Sequence, residues 1–181
     1  MLIIYDFTPR ITIFTDNITT LESLLIYAMK TITYQSDYLG NGFEFATINQ
    51  PDDYEGKVVA TVIRKQCSMP SNKAVLYVHG FNDYFFQSEM AQKFNEKGFH
   101  FYAVDLRKYG RSTLPHQKSN NMRSLTEYFA DLDEALDIVR QEGNEQVLLS
   151  GHSTGGLLVT LYASERVGNE KFDTIFCNSP F

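Results

Sequence analysis

One short turn constrains this chain more than any other feature. Residues 148–158 read Leu-Leu-Ser-Gly-His-Ser-Thr-Gly-Gly-Leu-Leu, an apolar run followed by Gly-x-Ser-x-Gly and a helical pattern. This order is typical of a sharp strand-to-helix turn that exposes a serine hydroxyl above a sheet. Side chains two residues before and two after the serine would collide there, which explains Gly151 and Gly155. Ser153 is therefore the candidate nucleophile.

Two further motifs follow apolar runs earlier in the chain. Residues 74–78 lead into His79-Gly80-Phe81, and residues 101–104 lead into residues 105–112, which read Asp-Leu-Arg-Lys-Tyr-Gly-Arg-Ser. Each apolar run is typical of a buried strand. Since helical patterns separate the strands, the sequence predicts an α/β fold with a right-handed, mostly parallel sheet.

This ordered set of motifs resembles the α/β-hydrolase superfamily, and within it the monoacylglycerol lipase and lysophospholipase-like branch. The resemblance covers about residues 37–181 and implies helices on both faces of the sheet, with the chain ending after about the sixth strand. Two departures stand out. Lys108 occupies a position where the family commonly has glycine, and His79-Gly80-Phe81 is a shorter form of the HGGG motif of some esterases. We expect residues 1–28 to be an N-terminal extension and residues 29–181 to be the N-terminal portion of a hydrolase domain.

The hydrophobic pattern predicts the individual elements. Strands are expected at residues 43–49, 57–64, 74–78, 101–104, 147–149 and 174–177. One amphipathic helix is expected to bury Phe86, Met90 and Phe94 and to end at Gly98. A capping box at residues 124–127 is expected to open a second helix, whose core stripe is Phe129, Leu132, Leu136 and Val139. The acidic residues of that helix, Asp131, Asp133, Glu134 and Asp137, are expected to form a solvated face.

Composition narrows the classes of function. A hydrophobic fraction of 43% is enough for a packed core and disfavours disorder. The net charge of −6 argues against a nucleic-acid partner. Two cysteines are too few for a disulfide framework, which favours a reducing, cytoplasmic setting. The sequence contains no run of about 18 apolar residues, so no transmembrane helix is predicted. The N-terminus lacks the basic region of a signal peptide.

The resemblance implies a catalytic or a structural role for each motif residue. Ser153 would attack the acyl carbon, and the backbone N–H groups of Phe81 and Thr154 would form the oxyanion hole. His79 and Gly80 would shape the loop beside it. The resemblance implies neither a metal ion nor a cofactor.

A serine nucleophile of this family works with an acid and a histidine, and this chain lacks a candidate for the histidine in the expected position. The family places its acid and its histidine after the serine, and no histidine follows Ser153. The acidic candidates after Ser153 are Glu165, Glu170 and Asp173. His116 lies at the active-site end of the fold, but the family does not place its base there. We therefore expect the acid and the histidine to lie outside this chain, which by itself should turn over esters poorly.

Three hypotheses remain open. The first is a serine hydrolase of carboxylic esters, with a lipid-like, small-molecule substrate such as a lysophospholipid or monoacylglycerol. The second is an amidase or aminopeptidase of the same fold. The third is a non-catalytic protein, either a pseudo-hydrolase or a truncated product without activity. The alternative role for Ser153 itself is that of an ordinary helix N-cap. The sequence also predicts that residues 174–177 form an exposed edge strand. Through this strand the chain would self-associate, bind the missing part of its own fold or join a larger assembly.

Overall fold

The computed structural model describes residues 32–166, 168 and 171–180. The expectation for residues 1–28 lies outside these residues. The strands are β1 (Gln35–Ser36), β2 (Glu44–Asp53), β3 (Gly56–Lys65), β4 (Lys73–Val78), β5 (His100–Asp105), β6 (Gln146–His152) and β7 (Thr174–Asn178). The helices are α1 (Ser88–Glu96), α2 (Phe129–Gln141) and α3 (Thr154–Glu165), with 3₁₀ turns at Gly110–Ser112 and Leu125–Tyr128.

All seven strands belong to one sheet in the order β1-β2-β3-β5-β4-β6-β7. Strands β5, β4, β6 and β7 run parallel, while β1, β2 and β3 add an antiparallel half. The register pairs Val78 with Gly151 and Val78 with Val104. The loops that follow β4, β5 and β6 therefore leave the sheet at the same edge, and these loops carry the three sequence motifs.

Strand β4 shows how the core is divided between the two faces of the sheet. Ala74, Leu76 and Val78 belong to a buried cluster that includes side chains of α2 and α3. Val75 and Tyr77 point the other way, into a cluster that contains Ala91 of α1 and is flanked by other α1 side chains. This alternation is the ordinary consequence of strand geometry. The α/β class with helices on both faces is thus confirmed.

Two details of the predicted elements are wrong. The two-residue strand β1 was not predicted, because Gln35 and Ser36 carry no hydrophobic pattern. Phe86 precedes α1 and is half exposed, whereas its neighbour Phe85 is fully buried. The ring centroid of Phe85 lies 5.1 Å from that of Phe101 and 5.9 Å from that of Phe43. The repeat of four residues therefore describes Met90 and Phe94 in α1 but not Phe86, which lies in the loop before the helix.

The predicted start of the second helix is a 3₁₀ turn that leads into α2. The Ser124 hydroxyl accepts a hydrogen bond from the N–H of Thr126 at 3.2 Å. The Glu127 carboxylate accepts one from the N–H of Arg123 at 3.1 Å. The first bond satisfies an N–H group that the first turn leaves without a partner, and the second ties the residue before Ser124 to the same turn. The predicted core stripe of α2 is confirmed, since Phe129, Leu132, Leu136 and Val139 are all buried.

The expectation of a solvated acidic face fails at Asp131. Its side chain is fully buried, and its Oδ1 lies 2.8 Å from Nη2 of Arg107, which is also buried. The backbone N–H of Arg107 donates to Asp131 Oδ2 at 2.9 Å. Burial raises the pKa of Asp131, and the Arg107 guanidinium opposes that shift. Asp131 therefore attaches the loop after β5 to the inner side of α2.

We predict that Asp131→Ala lowers the free energy of unfolding by about 3–5 kcal/mol, because Arg107 would keep a buried charge without its partner. The matched control on the same helix is Asp137→Ala. Asp137 is paired with Lys171 but its side chain is about half exposed, so the expected loss is below about 1 kcal/mol. Urea denaturation measures both. Equal losses in the two variants would contradict the structural role assigned to Asp131.

Candidate active site

Ser153 lies in the turn between β6 and α3 with unusual backbone angles. Its φ of 53° and ψ of −123° place a non-glycine residue in a sparsely populated region. Hydrogen bonds hold this conformation on both sides. The Ser153 N–H donates to the carbonyl of Asn178 at 3.0 Å, and the Ser153 carbonyl accepts from the N–H of Gly156 at 2.9 Å. The strained serine is thus fixed by β7 on one side and by α3 on the other.

The two glycines that flank Ser153 lie where a side chain would not fit. A Cβ atom at Gly151 would collide with the backbone of Gly155. A Cβ atom at Gly155 would collide with the carbonyl oxygens of Val78 and His79, at the end of β4. The turn can therefore form only because both residues lack a side chain.

The loop after β4 lies directly against this turn. A Cβ atom at Gly80 would lie 3.2 Å from Cβ of Ser153 and 3.4 Å from the carbonyl oxygen of His152. The Gly80–Phe81 peptide is consequently a neighbour of the serine. Thr154 is the first residue of α3, and the N–H of a first helical residue has no partner within its own helix. The structure thus places the Gly80–Phe81 peptide beside Ser153 and places Thr154 at the start of α3.

His79 is buried beneath this loop. Its Nδ1 lies 2.7 Å from the Gly80 carbonyl, and its Nε2 accepts a hydrogen bond from the N–H of Leu106 at 3.2 Å. These partners define one neutral tautomer, with the proton on Nδ1. Burial lowers the pKa of His79. With both ring nitrogens occupied, His79 holds two loops together and does not face Ser153 as a base.

The other histidines also make bonds elsewhere. His116 Nε2 lies 3.1 Å from the carbonyl of Lys57. His152 Nδ1 lies 3.2 Å from the carbonyl of Asn178. His100 Nδ1 accepts from the N–H of Cys67 at 3.3 Å. No hydrogen bond joins any histidine of the described residues to the Ser153 hydroxyl.

The loop after β5 is held by paired charges. Asp105 Oδ1 accepts from the N–H of Phe85 at 2.8 Å, and Oδ2 lies 2.9 Å from Nη1 of Arg111. Arg111 also pairs with Asp37, at 2.7 Å between Nε and Oδ2. Both carboxylates therefore occupy this guanidinium, and it is not free to bind an anionic substrate.

Lys108, the departure from the family pattern, has a left-handed backbone with a φ of 64°. Its ammonium is buried, 2.6 Å from Asp53 Oδ2 and 2.6 Å from Glu55 Oε2. It also lies 4.2 Å from the centre of the Tyr54 ring. We call these four residues, Lys108, Asp53, Tyr54 and Glu55, the Lys108 clamp. The clamp joins the loop after β5 to the β2–β3 turn.

Pairing favours the charged forms of Lys108, Asp53 and Glu55. Burial of Lys108 favours the neutral amine, but the ion pairs with Asp53 and Glu55 outweigh burial and raise its pKa. Burial likewise opposes ionisation of Asp53, yet the pairing with Lys108 leaves its pKa lowered. The pairing with Lys108 also lowers the pKa of Glu55. Sequence reasoning missed this clamp, because Lys108 and residues 53–55 lie far apart in the chain.

The described residues contain no group of three or more His, Cys, Asp or Glu side chains arranged to hold a metal ion. None of the helices in the described ranges combines the length and the apolar character needed to cross a bilayer.

Fold, turn and loops together define an α/β-hydrolase. Residues 69–181, more than half of the chain, match the Hydrolase_4 family, which is described as serine aminopeptidase, S33. The chain belongs to this family. No curated protein sequence matches the chain significantly.

Solved structures with the same fold include several esterases. A thermostable carboxyl esterase from Bacillus coagulans is 19% identical, with a TM-score of 0.60 over 74% of this chain and 43% of its own. Acetyl xylan esterase 1 from Thermoanaerobacterium is 16% identical, with a TM-score of 0.59 over 92% of this chain and 59% of its own. Est1E from Butyrivibrio proteoclasticus is 19% identical, with a TM-score of 0.55, and the match covers 68% of this chain and 49% of Est1E. This chain thus spans about half the length of these neighbours, and at such identities the likeness concerns the fold.

We predict that Gly155→Ala destabilises the chain by about 3 kcal/mol, because the new methyl group meets carbonyl oxygens of β4 that cannot move aside. Gly80→Ala is the graded comparison. Its Cβ would approach only Cβ of Ser153 and the carbonyl of His152, at 3.2 and 3.4 Å, so we expect a loss of about 1 kcal/mol. Thermal denaturation gives the order. A Gly155→Ala variant as stable as Gly80→Ala would show that the turn is looser than described.

Proposed function

We propose that the protein is a serine hydrolase that cleaves carboxylic esters through an acyl-enzyme on Ser153. The observation that carries this proposal is the strained backbone of Ser153, held against the Gly80–Phe81 peptide. Strain of this kind persists where the surrounding structure enforces it, and it is concentrated at active sites. A serine that served only as a helix cap would not require it.

The reaction follows from this geometry. The Ser153 hydroxyl loses its proton to a base, and its oxygen attacks the acyl carbon. The N–H groups of Phe81 and Thr154 stabilise the oxyanion that forms, since such donors contribute about 3–4 kcal/mol each to transition-state binding. The alcohol then leaves, and water hydrolyses the acyl-enzyme. The family places the acid and the histidine beyond Ser153, so we assign these roles to a part of the protein outside this chain.

A lipid-like substrate is part of the proposal. It rests on the order of the three motifs, which resembles that of the monoacylglycerol lipase and lysophospholipase-like branch. The Phe81 ring supports it, because it is 59% exposed next to the proposed oxyanion donor and offers an apolar surface for an acyl chain.

Amide cleavage is the second candidate, and the description of the matching family as a serine aminopeptidase favours it. The same serine and oxyanion donors would serve either bond. Rates on long-chain p-nitrophenyl esters and on amino-acid p-nitroanilides, measured with the full-length protein, would separate the two. Faster cleavage of the anilides would replace the lipid ester with a peptide-like substrate.

We predict that a fluorophosphonate probe labels the full-length protein and that Ser153→Ala abolishes the labelling, since the probe reacts only with an activated serine. Ser164→Ala is the matched control, because Ser164 is an exposed residue of α3 that should leave labelling unchanged. Labelling that survives in Ser153→Ala would assign the nucleophile elsewhere.

We further propose that this chain self-associates through β7. Among the described residues β7 pairs with β6 alone, so its other edge carries N–H and C=O groups that can pair with a second copy. Ile175 and Phe176 are exposed on it, at 36% and 56%.

We predict that light scattering of the chain detects dimers or larger species and that Phe176→Lys shifts them towards the monomer, because an edge charge discourages strand pairing. Met69→Lys, at another exposed apolar residue, is the control and should leave the mass distribution unchanged. A monomeric wild-type chain would refute the proposal.

A further inference from the structure

Three residues with left-handed backbones are connected in series from the Lys108 clamp towards Ser153. They are Lys108, Asn120 and Asn82, with φ values of 64°, 59° and 52°. The N–H of Asn120 donates to the Lys108 carbonyl at 3.0 Å. The Asn120 side-chain amide donates to Asn82 Oδ1 at 2.9 Å. The series ends one residue after Phe81.

The first member is the least expected of the three. Asparagine tolerates a left-handed backbone better than other residues with side chains, whereas lysine has no such tolerance. At Lys108 the strain is balanced by the two carboxylates that hold its ammonium. The clamp thus enforces a backbone conformation that glycine would adopt freely but would not hold as firmly.

The same clamp anchors the segment that carries Asn120. The N–H of Lys118 donates to Glu55 Oε1 at 3.3 Å. The Tyr54 hydroxyl donates to the carbonyl of Asn121 at 3.0 Å. The backbone on both sides of Asn120 is therefore fastened to the β2–β3 turn. The position of its side chain, and with it the contact to Asn82, depends on the clamp.

The peptide that carries the Phe81 N–H is then restrained from both directions. On one side His79 binds the Gly80 carbonyl. On the other side the left-handed conformation of Asn82 sets the direction in which the chain leaves Phe81. A donor in an oxyanion hole must keep its position to within about 0.5 Å to be effective.

We propose that Lys108, acting through Asn120 and Asn82, is a positioning residue that holds the Phe81 N–H in place beside Ser153. The catalytic part of this inference rests on the proposed hydrolase function. The ordering of the loop does not, because it concerns only contacts within this chain.

The experiment combines Lys108→Met, Asn120→Ala and their double variant. Its control is Asn41→Ala, which alters another left-handed asparagine, with a φ of 49°, on the exposed turn before β2. Backbone ¹⁵N order parameters at residues 81–83 are measured by NMR on this chain. We expect them to fall from the range of rigid backbone, about 0.85, to below about 0.6 in each single variant, and to stay unchanged in Asn41→Ala. Unchanged order parameters in Asn120→Ala, which removes no buried charge, would overturn the inference.

Ester hydrolysis by the full-length protein supplies the second measurement. We expect kcat to fall about tenfold with KM within about twofold, a smaller loss than the 10²–10³ expected when an oxyanion donor is deleted. Because the two residues act in series, the double variant should also lose about tenfold. A loss that multiplies to about a hundredfold would show independent effects and overturn the series.

The two measurements separate this inference from the proposed function. A wild-type protein without hydrolase activity, whose variants still show lower order parameters at residues 81–83, would refute the hydrolase proposal and support the ordering of the loop. A loss of kcat without any change in these order parameters would refute the positioning route through Asn120 and Asn82.

Discussion

The rest of the structure depends on the close approach of the β6–α3 turn to the end of β4. Gly155 lies against the carbonyl oxygens of Val78 and His79, and no residue with a side chain could take that position. This contact lets α3 start directly beneath the loop after β4. It also puts the Ser153 turn and the Gly80–Phe81 peptide side by side, although distant parts of the sequence encode them. The parallel register of β4 and β6 brings both to the same edge of the sheet.

Paired charges then fix the loop after β5, and each pair reaches a different part of the fold. Arg107 reaches α2 through Asp131, Lys108 reaches the β2–β3 turn, and Arg111 reaches Asp37 before β2. Such buried pairs contribute little to net stability, since removing both charges from water is costly, but the loss of one partner leaves an uncompensated buried charge. These three ion pairs thus hold the loop in place. The N–H of Leu106, in the same loop, donates the hydrogen bond that holds His79.

The sequence predicted those features that depend on local pattern. The core stripe of α2 repeats at helical spacing, and the turn at Ser153 requires glycine at fixed positions, so both could be inferred without a structure. Features that depend on distant partners could not. Asp131 resembles its acidic neighbours in sequence, and only the arrival of Arg107 makes it a buried residue. Lys108 reads as a departure from a family pattern, and its carboxylate partners become visible only when the β2–β3 turn is placed beside it. At Phe86 a true helical spacing was extended past the point where α1 begins.

The hydrogen bond from the Ser153 N–H to the Asn178 carbonyl has a consequence for communication across the sheet. Asn178 ends β7, one of the two outer strands of the described sheet, and it is paired in register with His152. A shift of β7 along its axis would therefore act on the backbone of the serine itself. Any strand that adds to the open side of β7 would restrain that backbone at a distance, without touching the serine or the peptides beside it. The edge of the sheet and the turn at Ser153 are thus linked directly through one backbone hydrogen bond.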